Sequence, residues 1–181
     1  MIKIKKTKFN IFVLGDSQVG KTCMIKTLRE NTFNIDELPT IGLETYIDTV
    51  SMDDINYKFK IFDLSGREKY KNLVMSKLRL ADGFILVFSV DNNESLKQID
   101  YWLRIIDETV KSKRRKILIG NKIDIKKREI LNQDAVNFAK ERNMKYFETS
   151  AKTGFNIKET FNRFFLEFYD LKNQYEIVNN I

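Results

Sequence analysis

The chain has 181 residues, 43% of them apolar, enough for one self-sufficient core without a disulfide or metal staple. A single cysteine, Cys23, excludes an intrachain disulfide, and the absence of histidine excludes Ser-His and Cys-His catalysis and His-based zinc sites. The 32 Lys and Arg exceed the 25 Asp and Glu by 7, a surplus that suits anionic partners such as nucleotides, nucleic acid or acidic lipid.

Residues 9–14 (FNIFVL) read as a short strand that breaks at Gly15, and 22–31 follow with a helical pattern carried by Met24, Ile25 and Leu28. Residues 43–50 and 55–62 read as two strands joined by the polar turn Met52-Asp53-Asp54, a hairpin. The segment 68–80 is weakly helical. Residues 83–90 (GFILVFSV) and 117–119 are buried-strand runs, separated by a helix over about 93–110 whose Leu96, Ile99, Leu103 and Ile106 share one face. Asn132 fits the N-cap of a helix running to about 142, and 145–148 form a last strand. From 156 to about 175, Ile157, Phe161, Phe164, Phe165, Phe168 and Leu171 recur at helical spacing, a core stripe that covers the sheet. Tyr46 and Trp102 read as packing residues. Strands alternating with helices imply an α/β fold, a mostly parallel six-stranded sheet with helices on both faces and one antiparallel hairpin strand. No apolar run reaches the ~18 residues of a membrane-spanning helix and residues 1–6 lack a signal-peptide apolar region, so the chain reads as soluble and cytoplasmic.

Glycine and proline are scarce, 7 and 1 respectively, so each position carries weight. Gly15-Asp16-Ser17-Gln18-Val19-Gly20-Lys21-Thr22 satisfies G-x-x-x-x-G-K-[ST] between a strand and a helix, with Cys23 following. Glycines let backbone N–H groups wrap phosphates at a helix N-terminus, Lys21 reaches the β and γ phosphates, and the Thr22 hydroxyl is a hard ligand for Mg²⁺. Asp63-Leu64-Ser65-Gly66 ends a strand with a carboxylate and a glycine, as a Walker-B Asp and γ-phosphate contact do. Alone it reads as a turn, and the phosphate loop gives it meaning. Asn121-Lys122-Ile123-Asp124 follows the strand KILIG. The Asp124 carboxylate can accept from both guanine N1–H and the exocyclic amine, which adenine cannot supply. Asn121 can bridge loops and meet the far edge of the base, and the Lys122 stem can cover its face. Glu148-Thr149-Ser150-Ala151-Lys152 leaves the last strand likewise and offers a backbone N–H to the guanine oxygen. All four segments sit at carboxyl ends of strands, where open α/β sheets bind ligands.

These motifs, in this order over about residues 8–170, resemble a small GTPase of the Ras superfamily. Thr40-Ile41-Gly42 and the step from Thr40 to Asp63 look most like the Rab branch. The resemblance implies one G domain over 1–181, with a core of about 8–175, a GTP/GDP ligand with Mg²⁺, and GTP hydrolysis. It implies that Phe33 flanks the guanine, that Thr40 joins Thr22 and Asp63 at Mg²⁺, and that Gly66 donates its N–H to the γ-phosphate. Effectors, an exchange factor and a GTPase-activating protein are implied as partners of a monomer, in membrane traffic or signalling. Without it, Phe33 reads as core and Thr40 as a turn residue.

Two departures stand out. Arg67 replaces the family's glutamine, and a guanidinium has donors but no acceptor for the attacking water, so slow hydrolysis is expected. The rival readings are an internal arginine finger and a nucleotide-dependent scaffold that barely hydrolyses. The C-terminal residues 176–181 contain no cysteine for prenylation, so either the chain stops before a lipidated tail or it works without an anchor, peripheral membrane association remaining open. Cys23 reads as packed in the first helix. The runs 111–116 and 126–128 read as solvated rather than as sites for lipid or RNA, and no nucleic-acid partner is expected. A P-loop ATPase or kinase is the third reading, opposed by Asp124.

Overall fold

The computed structural model describes residues 7–34, 38, 40–64 and 71–178. Gly66 and Arg67 lie outside these residues, as do Ser65 and Pro39. Eleven elements follow in order among the described residues: β1 (Lys8–Leu14), α1 (Lys21–Glu30), β2 (Leu43–Met52), β3 (Ile55–Leu64), α2 (Lys71–Leu78), β4 (Gly83–Ser89), α3 (Asn93–Thr109), β5 (Arg115–Asn121), α4 (Asn132–Glu141), β6 (Lys145–Glu148) and α5 (Ile157–Val178).

The six strands form one sheet in the order β2-β3-β1-β4-β5-β6. Only β2 and β3 run antiparallel, joined at Asp53 and Asp54, whose φ values of 47° and 60° are the pair of left-handed residues that a tight two-residue hairpin needs. The strand therefore extends through Met52 and leaves a shorter turn than the sequence suggests. β4 is buried along its whole length, as a central parallel strand covered on both faces must be. Alternate side chains of the sheet feed two cores. Phe12, Phe62, Phe84 and Phe88 meet Leu78 of α2, Ile99, Trp102 and Leu103 of α3, and Ala135 of α4. Ile11, Val13, Phe59, Ile61 and Val87 meet Met24 and Ile25 of α1 and the α5 phenylalanines. Ile157, Phe161, Phe164, Phe165 and Phe168 are buried, and the Phe165 ring stacks on Phe59 at 3.9 Å, which bears out the core reading of that stripe as far as Phe168; the Leu171 side chain lies outside what the structure describes. Cys23 packs against the second core from α1, as expected, and Tyr46 does so from β2, beneath the Arg29 guanidinium. No helix among the described residues is long and apolar enough to cross a membrane.

Several boundaries differ from the sequence reading for local reasons. The α2 helix stops at Leu78, because the N–H groups of Leu80 and Ala81 turn back to Lys77 and Leu78 in a tighter three-residue pattern. Asn132 is not the cap of α4. Leu131 occupies that position without a side-chain bond, and Asn132 is the first residue of the helix itself. The basic runs are only partly solvated. Arg128 pairs with Glu148 at 2.6 Å, Arg114 donates to the carbonyl of Ala81, Arg115 donates to that of Glu167, and Lys116 lies 3.6 Å from Asp107. Each uses a long donor-rich side chain to satisfy a neighbouring oxygen.

Candidate functional site

The carboxyl ends of β1, β3 and β5 and the turn after β6 bring the sequence motifs together. Between β1 and α1 the chain must pass beneath neighbouring backbone, and Gly15 permits it. A Cβ there would stand 2.1 Å from the carbonyl oxygen of Val87, and its φ of +148° lies in glycine's region. Asp16 accepts from the N–H of Ser17 at 2.6 Å, Ser17 and Gln18 are exposed, and Gln18 has a φ of 62°. Gly20 precedes α1 with a φ of 93°, and no side chain caps the helix. The first turn carries no acidic residue, leaving the positive end of the helix available to an anion.

Lys21, 6% exposed, folds back over this loop. Its Nζ donates to the carbonyls of Gly15 at 3.0 Å and Asp16 at 2.6 Å. Burial lowers its pKa to about 8, against the pull of Asp63 and Asp16 that favours the charge. Its ammonium is thus poorly solvated, and the nearby carboxylates do not fully offset the burial, the condition in which an anionic ligand gains much from it.

Next to Lys21 three oxygen-bearing side chains from distant segments meet. Thr22 donates to Asp63 Oδ2 at 2.5 Å, and Thr40 Oγ1 lies 2.7 Å from Thr22 Oγ1 and 3.4 Å from the same carboxylate oxygen. Asp63 Oδ1 is buried with no partner among the described residues. Burial raises the Asp63 pKa, opposed by the Thr22 bond and by Lys21, while the like charge of Glu44 opposite it on β2 adds to the rise. Hard oxygens crowded around an orphaned buried carboxylate oxygen fit a Mg²⁺-type cation. The described residues contain no cluster of three or more acidic or cysteine side chains that would rival this place.

Asn121, fully buried at the end of β5, joins the remaining segments. Its Nδ2 donates to the carbonyl of Val19 at 2.9 Å, and its Oδ1 accepts from the N–H of Ala151 at 3.1 Å and from Thr149 Oγ1 at 3.2 Å. A Cβ on Gly20 would stand 2.4 Å from that same amide nitrogen. The asparagine thus bridges loops, as the sequence suggested, and it does so through three segments at once. Lys122 follows with a φ of 67°, and exposed Asp124 accepts from Ser150 Oγ at 2.5 Å, which in turn accepts from the N–H of Thr153. Lys152 is exposed. Phe33, 39% exposed beyond the end of α1, belongs to neither core, so the reading of it as a core residue fails. Gly66 and Arg67 are the two site residues on which the described structure is silent.

Two contributors escaped the sequence reading. Thr149 supports Asn121 from a position that looked like mere approach to the loop. Thr27, a hydroxyl in the apolar stripe of α1, donates to the carbonyl of Ala151 at 2.9 Å. A buried polar residue among Met24, Ile25 and Leu28 was the available signal.

A sequence model of the Ras family matches residues 10–170. The chain is similar to the Ras-related protein Rab-13 of Mesocricetus auratus, 36% identical over 163 residues that cover 90% of this chain and 80% of the relative. It is also similar to the Ras-related protein Rab-15 of Homo sapiens, 36% identical over 164 residues, 90% of this chain and 77% of the relative. Rab-13 of Canis lupus familiaris is 35% identical over 162 residues, 89% and 80% of the two chains.

Proposed function

The chain belongs to the Ras family, and from that premise we propose what its residues do as a Rab-like small GTPase. As in that family generally, it binds GTP and GDP with Mg²⁺, hydrolyses GTP, and acts as a molecular switch in membrane traffic. One G domain spans residues 1–181, its core about 8–175. The observation that carries the assignment of roles is the meeting of Thr22, Thr40 and Asp63 beside a buried Lys21, on a phosphate loop that Asn121 ties through Val19 to Ala151, next to the Ser150 that holds Asp124.

Backbone N–H groups from Gly15 to Thr22, followed by Cys23, wrap the phosphates, and Lys21 bonds the β and γ oxygens. Thr22, Thr40 and Asp63 would hold a Mg²⁺-type cation, which when bound would supply positive charge against the phosphate oxygens. Gly66 donates its N–H to the γ-phosphate. Asp124 accepts from guanine N1–H and the exocyclic amine, the segment Ser150-Ala151-Lys152 donates to the base oxygen, and Lys122 and Phe33 flank the ring. Loss of the γ-phosphate releases Thr40 and Gly66, so effectors distinguish the two states by the segments around them. An exchange factor and a GTPase-activating protein set the cycle, and the monomer works at the cytosolic surface of a membrane.

Arg67 makes this a slow enzyme, because a cation without an acceptor cannot orient the attacking water. In single-turnover assays Arg67→Gln is expected to hydrolyse bound GTP roughly tenfold faster or more, the scale at which positioned groups act in such transfers. An unchanged rate would refute the impairment. A slower rate would instead favour Arg67 as an internal arginine finger. For the base, Asp124→Ala is expected to lose roughly 100-fold of its preference for GTP over ATP in competition binding, since a base-pairing carboxylate discriminates through unpaired polar groups. A preference for GTP that survives intact would remove Asp124 from the site.

A further inference from the structure

Thr27 is 7% exposed and lies on the face of α1 that also supplies Met24 and Ile25 to the core. A helical threonine commonly returns its hydroxyl to its own preceding turn. This one points away from its helix. Its Oγ1 is 2.9 Å from the carbonyl oxygen of Ala151 and 3.2 Å from that of Thr32. A hydroxyl has one hydrogen, so the two carbonyls share it. They belong to different parts of the site: Ala151 lies in the loop that faces the base, and Thr32 begins the chain that runs from α1 through Phe33 toward Thr40. Thr27's own carbonyl accepts from the N–H of Asn31, whose left-handed φ of 53° turns that chain out of the helix.

The Ala151 carbonyl and the Lys152 N–H are the two ends of one planar peptide, so fixing the oxygen fixes the direction of the N–H. The preceding amide, the N–H of Ala151, is already fixed by Asn121 Oδ1 at 3.1 Å. We infer that Thr27 is a positioning residue for guanine recognition, its hydroxyl orienting the Ala151–Lys152 peptide toward the base oxygen and tying that loop to the start of the segment that carries Thr40. The inference rests on the guanine-binding reading above. Ser150 Oγ already restrains Asp124 on the other side of this loop, so Thr27 supplies the restraint from the α1 side.

The test measures release of GDP, and of 2-aminopurine riboside 5′-diphosphate, which lacks the base oxygen, from the wild type, Thr27→Val and Thr27→Ser. The analogue also lacks the proton on N1 that Asp124 accepts, a loss common to all three proteins. Thr27→Val is expected to release GDP roughly tenfold faster, the consequence of leaving a buried carbonyl without its donor. Thr27→Ser is expected to restore the rate to within about twofold, because it keeps the hydroxyl. The preference for GDP over the analogue should fall in Thr27→Val and recover in Thr27→Ser. Equal acceleration of both nucleotides would mean lost packing alone and would overturn the inference, as would an unchanged GDP rate. A wild type that does not prefer GDP to the analogue would remove the guanine reading itself, whatever the variants do. If the valine variant is not recovered folded, Thr27→Ala removes the hydroxyl with less bulk and decides by the same comparison.

Discussion

Lys21 brings a charge into a nearly dry place, and its proton is correspondingly easy to remove. Burial lowers its pKa from 10.5 to about 8, whereas the unfolded chain keeps the higher value. Between those two values the unfolded chain binds more protons, so the nucleotide-free fold gains stability as pH rises through that window. Nucleotide binding has the opposite trend. In the proposed complex the phosphates favour the ammonium, so above pH 8 binding takes up a proton, and affinity for GDP is expected to fall by up to about tenfold per pH unit there while staying flat below. Calorimetric titrations at pH 7 and pH 9 in two buffers of different ionisation heat would show the uptake, and equal affinity at both values would contradict it. This residue was legible in the sequence because G-x-x-x-x-G-K-[ST] fixes its place between a strand and a helix. Asn121 was legible as a bridge between loops, and Asp63 through the family resemblance as a neighbour of Thr22 and Thr40, but the atoms that each would join were not. Their contacts span 102 and 41 positions of chain, and local pattern carries no information about which distant atoms fill a cavity.

Between elements, the loop after β5 is secured to β6 by a small polar chain. Arg128 donates to Glu148 at 2.6 Å, Tyr146 donates to the same carboxylate oxygen at 3.0 Å, and Arg128 Nε also donates to the carbonyl of Ile130. Burial pushes the Glu148 pKa up, but the bonds from Arg128, Asn132 and Tyr146 together hold it below its ordinary value of 4.5. A carboxylate with a depressed folded pKa adds stability above the unfolded value and loses it as pH falls through the folded one. Arg128→Met is therefore expected to lower the unfolding free energy by about 1–2 kcal/mol at pH 7, the worth of a half-buried charged bond. In urea titrations repeated toward pH 3 the gap to wild type should close. A gap that stays constant with pH would show that the methionine disturbs packing rather than charge. Most elements were legible, since apolar runs or periodicity mark β1 to β5, α1, α3 and α5, whereas α2 reads only weakly and α4 through a capping signal. Their ends were less so: Asn132 looks like a cap by residue type, but the chain already turns helical there, which leaves Leu131 at the cap position.

Across the whole molecule, two cores on opposite faces of one sheet hold the site from behind. The parallel order was legible from alternating strands and helices, and the antiparallel β2 from its short polar turn. The strand order was not, because it depends on which crossovers pass over which face. The second core binds α5 to the sheet largely through aromatic rings, with Phe165 stacked on Phe59 and meeting Phe161 edge-on at 5.9 Å. Phe165→Ala would empty the middle of this layer and is expected to cost about 3–5 kcal/mol in urea unfolding. Saturating GDP and Mg²⁺ should raise the thermal midpoint of that variant and of wild type alike, since the ligand binds only the folded form. A loss below about 1 kcal/mol would mean that neighbouring rings collapse into the space.

The contact between Gly20 and the amide of Asn121 has a wider consequence. Because the loop before α1 and the loop after β5 touch through a position with no side chain, the proposed nucleotide would have both of its halves received by one continuous scaffold. A nucleotide then benefits as a chelating molecule does: once one end is seated, the other meets its receptor at high effective concentration. Guanosine alone, or pyrophosphate alone, forfeits that advantage. A protein regulator could accordingly eject the whole nucleotide by prising open either end.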